Sequence, residues 1–166
     1  MFKKIDIKDL NENPVSLFGD KWALLTAGDE ESYNTMTVSW GTMGKLWNKD
    51  VCTVFVRPQR YTYEFMEKNQ GFTLSIFSDE YKKALSFCGS KSGRDVDKAK
   101  ETNLTPVMCK EGMAFEQAEI IINCKKLYVQ DMDENSFLDK SIIDKCYKDD
   151  YHRIYVGEIT EVLVKE

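Results

Sequence analysis

Short β-prone stretches recur along the chain, and their apolar positions predict at least six strands. Residues 72–77 (FTLSIF) alternate large apolar with small polar side chains, the period-2 pattern of a strand buried on one face. Five more stretches are rich in apolar, β-branched or aromatic residues: Trp22–Ala27, Thr35–Trp40, Val51–Val56, Ala118–Val129 and Ile154–Val164. Several of these have apolar residues on both faces, which indicates either a closed barrel packed by helices or a face buried in a dimer.

Helical periodicity is confined to short segments between these strands. Amphipathic patterns predict helices over residues 61–69, 80–88, 95–102 and 137–147, and Ser78–Asp79 offers an N-cap to the second of them. A strand-rich chain with short helices between the strands predicts a mainly β fold, a β-barrel with flanking short helices. Because the chain has no repeat, linker or low-complexity tract, we expect a single domain over residues 1–166.

The charge balance argues against a broad anion-binding surface. The chain has 23 Lys and Arg against 28 Asp and Glu, a net charge of −5, so we expect neither nucleic acid nor a membrane as a partner. No apolar run approaches the roughly 20 residues of a membrane span, and the first residues lack an apolar signal segment. Positive charge is nevertheless concentrated, because residues 51–62 have two basic and no acidic residues and residues 82–100 have six basic and two acidic ones.

The cysteines and the single histidine narrow the chemistry further. Five widely spaced cysteines without a C-x-x-C pair give little support to a disulfide framework or a zinc site. We therefore expect reduced thiols, a cytoplasmic protein and no metal site. Because His152 is the only histidine, the sequence gives little support to a Ser-His-Asp triad. A lone histidine is most often a structural hydrogen-bonding residue. Cys88 lies near a helix end and Lys91, which leaves a redox role open.

A polar strand is the first candidate site. Alternate residues of a strand share a face, so Thr35, Thr37 and Ser39 point the same way, between Asn34 and Trp40. Such a row of hydroxyls beside an indole can hydrogen-bond and stack on a flat heterocycle. The alternative is an ordinary exposed strand face.

Two basic segments are the second candidate. Arg57 and Arg60 lie where a strand turns into a helix, and the N–H groups of a helix start attract anions. Residues 87–98 alternate Gly and Ser with Lys and Arg ahead of another helix, and such a loop can fold around a phosphate. This loop is neither a P-loop nor a dinucleotide-binding motif. The alternative for both segments is solvated surface charge.

Five motifs occur in order along the chain: NTMTVSWG, VRPQRYTYEF, FTLSIF, SFCGSKSGRDVDK and YHRIYVGEI. Their combination closely resembles the flavin reductase-like family of FMN-binding split-barrel proteins, the flavoredoxin-like branch in particular, over about residues 22–164. The resemblance implies a split β-barrel with Greek-key character. It also implies a homodimer in which each FMN lies at or near the subunit interface.

The resemblance also implies which residues contact the cofactor. The residues expected to line the isoalloxazine ring are Asn34, Thr35, Thr37, Ser39 and Trp40. The residues expected to hold the ribityl phosphate are Arg57, Arg60, Tyr61, Thr62, Ser90, Ser92, Arg94 and Lys98. The family has a histidine near the flavin on a late strand, which corresponds to His152 as a cofactor contact and catalytic residue.

The function implied by the resemblance is that of an FMN-dependent oxidoreductase. It would take a hydride from NADH or NADPH, or electrons from a protein donor, and pass them to a flavin, a protein or a small molecule. Two alternatives stay open. One is a flavoredoxin-type electron carrier without NAD(P)H activity of its own, and the other is a split-barrel binding protein without a redox role.

Overall fold

A computed structural model describes residues 1–166 and contains ten β-strands. The strands are β1 (Phe2–Ile5), β2 (Ala23–Gly28), β3 (Tyr33–Val38), β4 (Gly41–Leu46), β5 (Lys49–Val56), β6 (Gly71–Ile76), β7 (Pro106–Cys109), β8 (Gly112–Phe115), β9 (Ile120–Asp131) and β10 (Arg153–Lys165). The six predicted strands are confirmed, with ends that differ by a few residues. The sequence pattern did not predict β1, β4, β7 and β8, which are short and, in β4, interrupted by glycine.

The helices are short, as expected, and lie between the strands. They are α1 (Pro14–Ser16), α2 (Tyr61–Lys68), α3 (Lys82–Ser90), α4 (Lys98–Glu101) and α5 (Ser141–Cys146), with a π-helical turn at Leu17–Lys21 and 3₁₀ turns at Ile7–Asp9, Asp79–Tyr81 and Glu134–Ser136. The helix predicted over 95–102 is shorter because the Asp97 side chain caps α4 by accepting from the Lys100 amide. The Ser78 hydroxyl bonds to Glu80 instead of capping the backbone. None of these helices has the length and apolar character needed to cross a membrane.

Most strands join one antiparallel sheet. Its strand order is β3-β2-β6-β9-β10-β5-β4, and β1 pairs with the last residues of β10. Strands distant in the chain are therefore neighbours, which gives the sheet its Greek-key character. The register of β10 against β9 shifts next to Gly157, where a Cβ atom would lie 2.8 Å from the Phe72 ring. Such irregularities bend and twist a strand, and here they curve the longest one.

Apolar side chains cover both faces of this curved sheet. The inner core includes Leu25, Val54, Phe72 and Tyr155. The outer core lies between the sheet and a layer formed by α3, α4 and the β7–β8 hairpin, and Leu24 belongs to it. Adjacent residues of β2 thus enter different cores, and the expectation of strands buried on both faces is confirmed.

The prediction that residues 72–77 form a half-buried strand is wrong. All six residues are buried, including the small polar Thr73 and Ser75. Their face is covered by the β7–β8 hairpin, whose Met113 carbonyl accepts a hydrogen bond of 2.6 Å from the Thr73 hydroxyl. The alternation of large apolar and small polar residues therefore reflects the small space beneath that hairpin rather than exposure to solvent.

Candidate functional site

The polar side chains of β3 mainly form hydrogen bonds to neighbouring elements. The Thr35 hydroxyl is buried, lies 2.9 Å from the Thr26 hydroxyl and donates to the Leu25 carbonyl. The Thr37 hydroxyl donates to the Leu85 carbonyl, which ties β3 to α3. Ser39, beyond the end of the strand, is exposed. The predicted row of hydroxyls exists, but two of its three members have protein partners.

A basic cavity of about 170 Å³ lies between the start of α2 and the loop that follows α3. We call it the basic cavity; it is lined by Gln59, Arg60, Tyr61, Thr62, Ser90, Lys91, Ser92, Gly93 and Lys98. Three of these side chains are cationic and none is acidic. The first turn of α2 also lines it, and the N–H groups of a first helical turn have no partner within the helix. This combination suits a compact anion.

Two of the three cations of the basic cavity are held by carbonyl groups. Arg60 donates from Nη1 to the Gly89 carbonyl at 3.0 Å, which leaves its other N–H groups available. Lys98 is buried, and its Nζ donates to the Thr35 and Cys88 carbonyls at 2.7 and 2.8 Å. Burial, with a contribution from the Arg60 charge, lowers the pKa of Lys98 to about 8. An anion in the cavity would favour the charged lysine.

Close packing fixes the loop against β3. A Cβ atom on Gly93 would lie 1.9 Å from Asn34 Oδ1, so only glycine fits at this position. The same Asn34 side chain donates to the Thr62 hydroxyl at 2.8 Å. Asn34 therefore joins β3 to α2 beneath the loop, and the basic cavity has a rigid floor.

The remaining loop residues have mixed roles. The Ser90 hydroxyl donates to the Phe87 carbonyl, and the Ser92 hydroxyl accepts from the Arg94 amide. Arg94 itself lies outside the basic cavity, because its guanidinium stacks 4.6 Å from the Tyr61 ring centre and pairs with Glu64 at 2.5 Å. It lines a neighbouring space of about 500 Å³ where four carboxylates also occur.

A second, aromatic cavity of about 180 Å³ lies at the end of β3. We call it the aromatic cavity; it is lined by Met36, Thr37, Val38, Ser39, Trp40, Phe55, Arg57 and His152. Trp40 is 49% exposed, and its ring centre lies 5.4 Å from that of His152. An exposed indole beside an imidazole and a hydroxyl can contact one face and one edge of a flat ring.

The structure places the two arginines of the turn in different cavities. Arg57 is directed to the aromatic cavity, where it pairs with Asp150 at 2.5 Å, donates to the Cys146 carbonyl at 2.8 Å and lies over the Tyr147 ring. The sequence had grouped Arg57 with Arg60 at a phosphate. Asp150 and Tyr147 were not singled out, and only the density of acidic and aromatic residues ahead of His152 could have indicated them.

His152 is buried at the start of β10 with a low proton affinity. Its Nδ1 lies 2.8 Å from the Tyr147 hydroxyl. Burial, and next the nearby Arg57 charge, lower the pKa of His152 to about 4. The imidazole is therefore neutral near pH 7, so it can offer one N–H and one lone pair but no positive charge.

The two cavities are neighbours on one side of the molecule. Thr37 lines the aromatic cavity, and its side chain packs under Gly89, where a Cβ atom would lie 3.2 Å away. The Gly89 carbonyl is the group that accepts from Arg60 of the basic cavity. An elongated ligand with an anionic end and a flat end can therefore reach both. Cys88 contacts neither, since it is fully buried and burial raises its thiol pKa, which disfavours a reactive thiolate.

Comparison with known proteins identifies a family and similar folds. The family model described as "Flavin reductase like domain" matches residues 15–166. A flavoredoxin of Desulfovibrio vulgaris (Miyazaki F) superposes with a TM-score of 0.69 and 22% identity, over 97% of this chain and 78% of that one. An FMN-binding protein from Thermus thermophilus gives 0.69 and 21%, over 99% and 82%.

A third similar structure is a component of a monooxygenase. Nitrilotriacetate monooxygenase component B from Bacillus cereus has a TM-score of 0.68 and 16% identity, over 98% of this chain and 81% of that one. No curated protein matches the sequence. At these identities the similar structures show the fold alone, a split barrel, which the sequence analysis predicted.

Proposed function

Because this chain belongs to the flavin reductase-like domain family, we propose that it is an FMN-binding oxidoreductase. In this proposal it transfers a hydride or electrons from NADH, NADPH or a protein donor to a flavin, a protein or a small-molecule acceptor. The observation that carries the proposal is the basic cavity, in which three cations and no carboxylate gather within an acidic chain. An uncompensated set of cations around a rigid floor suits the dianionic phosphate of FMN.

The residues fit the two ends of FMN. Arg60, Lys98 and the first turn of α2 would hold the phosphate, with the Ser90 and Ser92 hydroxyls beside them. Trp40 and Ser39 would contact the flat ring in the aromatic cavity. FMN, when bound, supplies the hydride and electron chemistry of its isoalloxazine ring.

The chain itself would orient the ring and set its electrostatic surroundings. Arg57 places a permanent positive charge beside the aromatic cavity, although Asp150 compensates part of it. His152 offers a neutral imidazole that can donate a hydrogen bond to an electron-rich ring edge. Both groups favour negative charge on a ligand in that cavity. His152 is in this proposal the catalytic residue.

The proposal extends to assembly and location. Trp40, which lines the aromatic cavity, is about half exposed, and a large exposed aromatic side chain at a site is typical of an interface, which supports a homodimer with FMN near its interface. We take residues 1–166 as one domain, supported by the pairing of β1 with β10. The five cysteines are all free in the structure, which is compatible with the cytoplasm expected from the sequence.

An electron carrier is the second candidate. The fold is that of a flavoredoxin as well as of a monooxygenase component B, and the exposed Trp40 leaves the aromatic cavity open to a protein donor. Such a carrier would bind FMN but would not oxidise NADH or NADPH by itself. A binding protein without a cofactor would share the fold, but it would have no need of an uncompensated basic cavity.

One experiment tests the proposal and separates these functions. Purified protein is mixed with FMN under anaerobic conditions, binding is measured, and the bound flavin is then titrated with NADH and NADPH. We expect one FMN per chain and bleaching of the flavin absorbance by a nicotinamide cofactor. Binding without bleaching, except with a protein donor, would favour the carrier, and absence of FMN binding would contradict the proposal altogether.

A further inference from the structure

The Tyr147 hydroxyl is the one polar group that lies within hydrogen-bond distance of the His152 imidazole. Tyr147 follows α5 directly and is buried. Its hydroxyl oxygen lies 2.8 Å from His152 Nδ1, and the two rings meet edge to face at 83°. This contact determines which of the two ring nitrogens of His152 carries the proton.

The Tyr147 hydroxyl has two acceptors within reach but a single proton to donate. One acceptor is His152 Nδ1, and the other is the Met132 sulfur at 3.4 Å. A thioether is a weak acceptor, whereas the lone pair of a neutral imidazole is a strong one. The shorter contact is also the one to the better acceptor. The proton therefore goes to Nδ1.

The surrounding charges favour the same arrangement. The Arg57 guanidinium lies 5.1 Å from the Tyr147 ring centre, where a cation strengthens the phenol as a donor. The same charge opposes protonation of His152, while Asp150, the other charged group near the imidazole, pairs with Arg57. Burial raises the pKa of the Tyr147 phenol, so it keeps its proton at neutral pH.

The second ring nitrogen of His152 is free to act in the aromatic cavity. Within the protein, Nε2 makes no hydrogen bond, and the only fully buried polar side-chain atoms without a partner are Ser75 Oγ and Asn123 Nδ2. Nε2 is therefore accessible from the cavity that His152 lines. If Nδ1 accepts from Tyr147, the neutral imidazole carries its proton on Nε2.

We propose that Tyr147 is a positioning residue that holds His152 as the Nε2–H tautomer, with that N–H presented to the aromatic cavity. The tautomer follows from the ligand-free geometry. The use of the N–H as a donor to an electron-rich flavin edge rests on the proposed function. Without Tyr147 the two tautomers would both be populated, and some molecules would present a lone pair where a donor is needed.

The single histidine makes this proposal directly measurable. In full-length protein labelled with nitrogen-15, only one imidazole contributes to a long-range proton–nitrogen correlation spectrum. We expect an unprotonated Nδ1 and a protonated Nε2 at pH 7 in the wild type. In Tyr147→Phe the ratio of the Nε2–H to the Nδ1–H form should fall roughly tenfold, the effect of losing one hydrogen bond.

Tyr151→Phe is the matched control. Tyr151 stacks on Tyr147 with ring centres 5.0 Å apart, but its hydroxyl makes no hydrogen bond within the protein. We expect this variant to keep the wild-type tautomer and the wild-type rate of flavin reduction. With FMN bound, Tyr147→Phe should reduce that rate several-fold and leave FMN affinity unchanged, since the phosphate contacts are untouched.

Two results would overturn the proposal. One is a wild-type spectrum with the proton on Nδ1, and the other is a Tyr147→Phe protein, folded by circular dichroism, that keeps the wild-type tautomer. Failure of the proposed function gives a different signature, because it would appear as absent FMN binding or reduction. The tautomer of the ligand-free protein would be unaffected by that failure.

Discussion

The two cavities differ in how their positive charges are balanced. In the basic cavity, Arg60 and Lys98 donate only to carbonyl oxygens, and no carboxylate lines the space. In the aromatic cavity, Arg57 pairs with Asp150, and His152 is held neutral by burial. A cation without a carboxylate partner gains one when an anion binds, whereas a cation that is already paired with a carboxylate mainly positions its neighbours. The first cavity is thus suited to affinity and the second to orientation.

The largest expected effect concerns the neutral His152 of the aromatic cavity. Its pKa is about 4 in the folded protein, against 6.5 for an ordinary histidine. The unfolded chain therefore binds the proton first as pH falls, and stability decreases between pH 6.5 and pH 4. From the size of the shift, this loss reaches about 3 kcal/mol at most. Denaturant unfolding at a series of pH values measures it.

His152→Gln provides the control for that loss. It removes the titrating group but retains a polar side chain, so its stability should change much less over the same pH interval. The baseline stability of the variant is irrelevant here, because the comparison concerns the slope with pH. Equal slopes for wild type and variant would show that the histidine is not buried as a neutral base.

The next prediction distinguishes the two cavities by comparing ligands with and without a phosphate. Lys98→Met should weaken FMN binding about a hundredfold, because it removes a charged donor to the phosphate. Riboflavin, which has the same ring but no phosphate, should bind the variant and the wild type equally well. Fluorescence titration with both ligands measures the two affinities. Equal losses for FMN and riboflavin would contradict the assignment of Lys98 to the phosphate end.

Arg57→Met is the matched variant from the other cavity. In the wild type, the Arg57 side chain is cationic and about as long as that of Lys98, but it is paired with Asp150. We expect it to leave the preference for FMN over riboflavin unchanged. If Arg57→Met reduces that preference as strongly as Lys98→Met, the two cavities do not divide the ligand as proposed here.

Strand patterns and ordered motifs were sufficient to predict the fold class. The apolar runs of β2, β5 and β10 showed where strands lie, because residues with branched or aromatic side chains favour them. The pattern misjudged residues 72–77, since the β7–β8 hairpin that covers Thr73 comes from about forty residues further along the chain. Local periodicity contains no information about such a distant cover.

The residue types of the site were predictable from the sequence, but their separation into two cavities was not. Arg57 and Arg60 are three residues apart, and the chain between them turns at Pro58, so their side chains separate into different cavities. The sequence does not show that Asp150 lies beside Arg57, because the pair spans 93 residues. It also gave no reason to select Tyr147, whose position depends on the same distant contact.

The smallest expected effect is a pH dependence that only the basic cavity should show. Lys98 has a pKa of about 8 in the ligand-free protein, and a bound phosphate favours its charged form. Above pH 8 binding therefore requires proton uptake, so FMN affinity should fall roughly fivefold between pH 8 and pH 9. The phosphate, with a second pKa of about 6, keeps a constant charge over this interval. Riboflavin binding and FMN binding to Lys98→Met should both be flat, and a slope in either would assign the titration to a group outside the basic cavity.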